Sequence, residues 1–161
     1  MIHTHKLPNS RFCFACGLEN KQGLKLTFYA DGEGAAVGEY VIAKEFESYP
    51  GIAHGGIVAT IMDEALIRAL ILEDHNRLFY TAKLTTRLRR HVPIESELRI
   101  EARVLSDKGR TAEAESKIFN RNGELLAEAQ GLMMAVPQED LDAMDIEELG
   151  WRVYPDKELQ P

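Results

Sequence analysis

His54-Gly55-Gly56-Ile57-Val58-Ala59-Thr60-Ile61-Met62-Asp63-Glu64-Ala65, running on through Leu66-Ile67-Arg68-Ala69-Leu70-Ile71-Leu72, is the segment from which the architecture of this chain follows. Two glycines open it and apolar residues fill it without a proline, which predicts a helix from about Gly55 to about Glu73. At about 100° per residue, Ile57, Ile61, Ala65 and Leu72 share one side and Val58, Met62 and Ala69 extend it, while Ala59, Leu66 and Leu70 occupy much of the opposite side. A helix that is apolar on both sides must be enclosed, so the other elements are expected to wrap around it.

Two adjacent acids interrupt the helix, and neighbours on a helix point in different directions. Glu64 stands four residues before Arg68, the favourable order for a helical ion pair, and that pairing accounts for it. Asp63 projects with Ala59, Ile67 and Leu70 and has no basic residue three or four positions away. A carboxylate in such a setting is costly without a partner or a task, which makes Asp63 the foremost functional candidate. A hydrogen bond to a neighbouring loop or subunit is the competing explanation. His54-Gly55-Gly56 adds weight, because a helix start presents unpaired N–H groups and glycine lets a substrate approach them. Amides there can hold a developing oxyanion, while an acid some two turns along serves the same carbon as base or nucleophile. Tight packing of the glycines against a sheet is the alternative.

Pro50-Gly51-Ile52-Ala53-His54-Gly55-Gly56-Ile57, with Asp63 nine residues after His54, resembles the motif of hotdog-fold acyl-CoA thioesterases. The likeness is to the phenylacetic-acid-degradation (PaaI-like) branch of the 4-hydroxybenzoyl-CoA thioesterase superfamily. Cys13-Phe14-Ala15-Cys16-Gly17, Gly23-Leu24-Lys25-Leu26 and Thr81-Ala82-Lys83-Leu84 leading to Arg89-Arg90-His91-Val92-Pro93 agree in order, so it covers about residues 12–136. The resemblance implies an α+β hotdog fold, an antiparallel sheet wrapped around one long central helix. It places a thioesterase domain at 23–136 between an N-terminal CxxC segment, 1–22, and an acidic extension, 137–161.

In chemistry it implies hydrolysis of an acyl-CoA, with Asp63 as general base or nucleophile and the Gly55 amide, with Gly56 beside it, as oxyanion donor. Thr81 would orient the water and His54 would shape the turn. No metal and no cofactor are implied, coenzyme A being part of the substrate. Such proteins are dimers or dimers of dimers, so Asp63 and Thr81 of one subunit are expected to face Gly55 and the Glu47–Ser48 loop of another. The sequence departs from the usual pattern at that loop. The family commonly has an amide six or seven residues before the histidine, where this chain has Ser48 and Glu47. An ionised glutamate only accepts hydrogen bonds, so Glu47 is a second base or a solvated residue, with Ser48 hydrogen-bonding. The same departure motivates an alternative, a non-catalytic acyl-CoA or lipid-binding hotdog protein. A hotdog dehydratase fits less well, because its histidine and acid lie in a different pattern.

With 161 residues and 45% hydrophobic composition the chain suits one domain that buries roughly two thirds of its unfolded surface. A net charge of -7 argues against general nucleic-acid binding. Met1 to Pro8 lacks the apolar core of about 7–15 residues that a secretory signal needs, and no segment approaches about 18 apolar residues. A cytoplasmic protein without a membrane span is expected. Cys13 and Cys16 are a redox pair, half of a zinc site with His3 and His5, or two packed thiols. Zinc would need four well-placed ligands and no strand-to-helix context surrounds the pair, so packed thiols are preferred.

Alternation predicts strands at Gly23 to Ala30, Ala35 to Val41, Phe79 to Arg90, Leu98 to Val104, Ala112 to Ile118 and Leu125 to Val136. Gly38 would allow a close approach, Gly131 would mark a bulge, and Asn120-Arg121-Asn122-Gly123 would make a hairpin turn. On the Phe79 strand Thr81 shares a face with Lys83, Thr85, Arg87 and Arg89. Arg87, Arg89 and Arg90 form the densest basic cluster, suited either to the phosphates of coenzyme A or to pairing with Glu101, Glu113 or Glu115. Glu139 to Leu149 is expected to form a short helix before a tail that frays or docks.

Overall fold

Among the described residues, seven strands form one antiparallel sheet: β1 (His5–Lys6), β2 (Tyr29–Ala30), β3 (Ala35–Val41), β4 (Phe79–Leu88), β5 (Glu97–Asp107), β6 (Thr111–Asn120) and β7 (Leu125–Ala135). Their spatial order is β1-β2-β3-β5-β6-β7-β4. The structure is a computed structural model and describes residues 5–156. Helix α1 (Gly55–Leu70) lies across the middle of the sheet, chiefly against β5, β6 and β7. No helix among the described residues is long and apolar enough to cross a membrane.

The enclosure expected of α1 is present. Val58, Ile61, Met62, Ala65 and Leu66 are fully buried, and Leu98, Ile100, Ala102, Ala114, Ile118, Ala127 and Ala129 of the sheet close over them. Each large side chain so buried contributes about 1.5–3 kcal/mol, and the alanines let the helix sit close. Gly131 serves that closeness too. A Cβ there would stand 2.7 Å from Leu66 Cδ1 and from Met133 Cε, and the ladder shows no irregularity at this residue. It is a close-packing glycine where a bulge was expected. Gly38 is the close approach expected of it, with a Cβ position 3.0 Å from the Thr27 carbonyl.

Three boundaries differ from the sequence reading. Helix α1 ends at Leu70, with Ile71 already at φ -107° and ψ 11°. Glu73 and Asp74 follow, acids that oppose the negative end of a helix. Leu24, Leu26 and Phe28 alternate inward as expected, but only Tyr29–Ala30 joins the sheet. The Leu24 and Leu26 N–H groups donate instead to Phe14 and Ala15 carbonyls of the CxxC segment, at 2.8 and 2.9 Å. The C-terminal helix is split into α2 (Gln138–Ala143) and α3 (Ile146–Leu149), because the Asp145 side chain caps the second, accepting from Glu148 N–H at 2.9 Å.

Both terminal segments dock on the domain around one side chain. Arg68, 1% exposed, pairs with Glu64, donates to the Pro8 carbonyl at 2.7 Å, and stacks over Trp151 at 4.7 Å. The helical ion pair expected from the spacing is present and buried, and it fastens the segments around Pro8 and Trp151 to α1. Arg68→Met should cost about 3–5 kcal/mol, because it strands the Glu64 carboxylate, whereas Glu64→Met with Arg68→Met should recover most of the loss. Urea denaturation of the two variants checks this.

Candidate active site

The loop before α1 sets the conformation at its start. The Glu47 carboxylate accepts from Lys44 Nζ at 2.7 Å and from the Gly51 N–H at 2.6 Å, closing the turn in which Gly51 sits at φ 82°. Ser48 donates to the Ile52 carbonyl through its N–H at 2.8 Å and through Oγ at 3.4 Å. The Lys44 ammonium and the Gly51 N–H hold the Glu47 carboxyl below its ordinary range. Glu47 thus stays in reach of solvent while engaged by its own loop, and its lowered basicity suits it poorly to act as a second base. It is the clasp of the loop.

His54 then caps the helix. Its N–H donates to the Phe46 carbonyl at 2.9 Å, and its Nδ1 accepts from the Gly56 N–H at 3.0 Å. The His54 carbonyl takes the N–H groups of Ile57 and Val58. Gly56 is therefore spent on the cap, and the Gly55 N–H has no acceptor among the described residues. Of the two glycines, Gly55 is the one whose amide is free to polarise a carbonyl, and the helix start adds partial positive charge there.

Asp63, half-buried, accepts from Thr81 Oγ1 at 2.8 Å. Burial pushes its carboxyl above the ordinary aspartate value, the Thr81 hydroxyl opposes that shift, and neighbouring Glu64 adds to it. Thr81 reaches Asp63 because β4 is irregular. Thr81 pairs with Met133 and Lys83 with Leu132, so Ala82 is an extra residue. The expected grouping of Thr81 with Lys83, Thr85, Arg87 and Arg89 on one face is corrected by this bulge, which shifts the alternation and aims Thr81 at α1. Nothing in the residue pattern marks it, since Thr81 to Thr86 alternates smoothly with or without the extra residue.

The Gly55 N–H and the Asp63 carboxylate stand eight residues apart on one helix, about 12 Å along its axis. Within one chain they cannot serve one carbon, contrary to the simplest wheel argument. Gly55 instead abuts the end of β4, where its Cβ position would be 3.7 Å from Leu88 Cδ2. Thr81 lies near the beginning of β4, whose outer edge carries no strand among the described residues.

The basic cluster divides. Arg89 pairs with Glu128 at 2.7 Å and Arg90 with Glu124 at 2.7 Å, not with the acids expected. Arg87 lies opposite Glu128 in the ladder and lines a shallow hollow with Glu115, Lys117 and Gln130 on the outer sheet face. Of the two cysteines, Cys16 is packed as expected but Cys13 is exposed. Their third neighbour is Glu64 rather than His5, whose ring stands 6.0 Å from that of His75, and His3 lies outside the described residues.

Residues 50–127, just under half of the chain, match the family model of the Thioesterase superfamily. No curated protein matches the chain. Among solved structures, it is similar to the crystal structure of a thioesterase superfamily protein with a TM-score of 0.69 at 23% identity, covering 77% of this chain and 63% of that one. The chain thus spans less than two thirds of that protein's length. Zebra fish thioesterase superfamily member 2 gives 0.64 at 19% identity, with 74% and 91% covered. A hypothetical thioesterase protein with coenzyme A from Streptococcus pneumoniae TIGR4 gives 0.60 at 20% identity, with 66% and 84% covered. The likeness at such identities is one of fold, and the fold is the hotdog.

His54 carries its cap through a side-chain acceptor, which alanine lacks. His54→Ala should therefore lose about 0.5–2 kcal/mol in urea denaturation, while His54→Asn should stay within a few tenths of wild type.

Proposed function

We propose that the protein is an acyl-CoA thioesterase of the PaaI-like kind, whose active site is completed between two copies of the chain. The observation that supports it most is the Asp63 carboxylate, half-buried, held by the Thr81 hydroxyl at 2.8 Å and in no ion pair among the described residues. The Thioesterase superfamily match over residues 50–127 and the neighbour bound to coenzyme A supply the substrate class.

Antiparallel pairing of two β4 edges brings the beginning of one strand against the end of the other. Thr81 and Asp63 of one subunit then face Leu88 of the next, and with it the Gly55 amide. A single copy offers the two halves of the site at opposite ends of β4, and a dyad joins them. In the joined site, Thr81 fixes one oxygen of Asp63 and leaves the other for water. That oxygen takes the water's proton as the water attacks the thioester carbonyl, and burial favours this by raising the basicity of the carboxylate. The oxyanion that forms accepts from the Gly55 N–H of the opposite subunit, and collapse breaks the C–S bond and releases the thiolate of coenzyme A. Direct attack by Asp63, through an anhydride, uses the same geometry. Arg87 and Lys117, on the outer sheet face, are the cations proposed to meet the phosphates.

A non-catalytic acyl-CoA-binding module is favoured by one feature, the Glu47 carboxylate clasped by Lys44 and Gly51 where an amide donor is usual. A panel of acyl-CoAs with a thiol reagent separates the two, since saturable binding without thiol release would identify the module. For the hydrolase, Asp63→Asn should lower turnover by at least about 10²–10³-fold with the fold intact. Thr81→Ala should lower it by about 10–100-fold and Thr81→Ser much less. Wild-type turnover by Asp63→Asn on every acyl-CoA tested would overturn the assignment.

A further inference from the structure

The Cys13-Phe14-Ala15-Cys16 turn takes no part in thioester hydrolysis, and its two thiols are placed differently. Cys13 is exposed and Cys16 is 2% exposed, with their sulfurs within 4.8 Å of one another. The turn is tightly held. The Gly17 N–H donates to the Cys13 carbonyl at 2.7 Å, the Cys13 N–H donates to Ser10 Oγ at 3.2 Å, and Ser10 Oγ lies 3.5 Å from Cys16 Sγ. The sulfurs already stand within 4.8 Å of one another, and a small closure of the turn, bringing the Cβ atoms to about the 3.5–4.5 Å that a disulfide needs, joins them.

Glu64 is the third donor group in reach, which raises a metal as an occupant. Arg68 already holds that carboxylate, and no fourth donor joins the cluster among the described residues, whereas a closed thiolate zinc site takes four. The turn is better suited to making one thiol a nucleophile. The Cys16 thiol and the N–H groups of Cys16 and Ala15 donate to the Cys13 sulfur, and together they lower its pKa to about 6. Burial and the Glu64 charge oppose that shift. The hydrogen bond that Cys16 gives to Cys13, with burial and Glu64, keeps Cys16 protonated, against a weaker pull from Arg68.

We propose that Cys13 and Cys16 form a thiol–disulfide exchange site whose oxidant is a low-molecular-weight disulfide, with exposed Cys13 attacking and buried Cys16 resolving. The Cys13 thiolate attacks one sulfur of the disulfide, the S–S bond breaks, and one thiolate leaves, giving a mixed disulfide on Cys13. Cys16 passes its proton to the departed thiolate and attacks Cys13 Sγ, and the second thiolate leaves. The dithiol loses two electrons and the small disulfide is reduced to two thiols. Asp63 and Thr81 play no part, so the site stands or falls independently of the hydrolytic one.

The test uses the reduced full chain with oxidised glutathione, quenched in acid and weighed by mass spectrometry. Wild type should end with one internal disulfide and no adduct. Cys16→Ser should stop with one glutathione on Cys13, and Cys13→Ser should react at least about tenfold more slowly. At pH 6 about half of Cys13 should be thiolate against roughly 0.3% of a free cysteine. After the loss of intrinsic nucleophilicity, iodoacetamide should label Cys13 roughly tenfold faster than free cysteine. The proposal is overturned if both thiols stay free under conditions that oxidise free cysteine, or if the first adduct forms on Cys16. One zinc per purified chain, lost in both cysteine variants, would overturn it as well.

Discussion

The enclosure of α1 by the sheet is the constraint from which the other features derive. A helix packed on most of its circumference has every side-chain direction assigned, so one residue along the chain changes the environment completely. Glu64 turns towards Arg68, which neutralises it and itself holds the Pro8 carbonyl and the Trp151 ring. Asp63, about 100° away, emerges at the margin of the packed region, where β4 supplies a hydroxyl and no cation. Two acids of nearly identical chemistry acquire different surroundings because the helix cannot rotate to exchange them.

Strand β4 carries the second half of the arrangement. It is an edge strand ten residues long with largely exposed side chains, the kind of edge that soluble proteins cover or pair. Its bulge aims Thr81 at Asp63, and its far end leans on Gly55. Tyr80 and Leu88, both nearly half exposed, flank that edge. A second copy would cover the edge and complete the site in the same event, so assembly and chemistry would share one surface.

Much of this was legible in the sequence because it is written in local periodicity. The buried helix, the inward alternation of β5 and β6, and the singling out of Asp63 from Glu64 all follow from residue spacing. Most of what was not legible depends on contacts distant in sequence. The extra residue at Ala82 leaves no local trace, since only the partner strand β7 reveals it. Leu24, Leu26 and Phe28 announced their burial correctly, but their hydrogen-bond partners lie in the CxxC segment. The role of Glu47 depends on Lys44 and Gly51 folding back on it, a short-range event that charge alone does not forecast.

Subunit complementation tests the shared site most directly. Gly55 is the first helical residue, and His54 before it already sits at φ -61° and ψ 133°, the region that a following proline requires. Gly55→Pro therefore deletes the N–H proposed to hold the oxyanion, with little disturbance to the helix. This variant and Asp63→Asn should each be inactive alone. After co-refolding, random pairing makes half of the dimers mixed, each with one intact site, so hydrolysis should return to about a quarter of wild type. Activity in the mixture no greater than the sum of the two separate variants would contradict a site shared between copies.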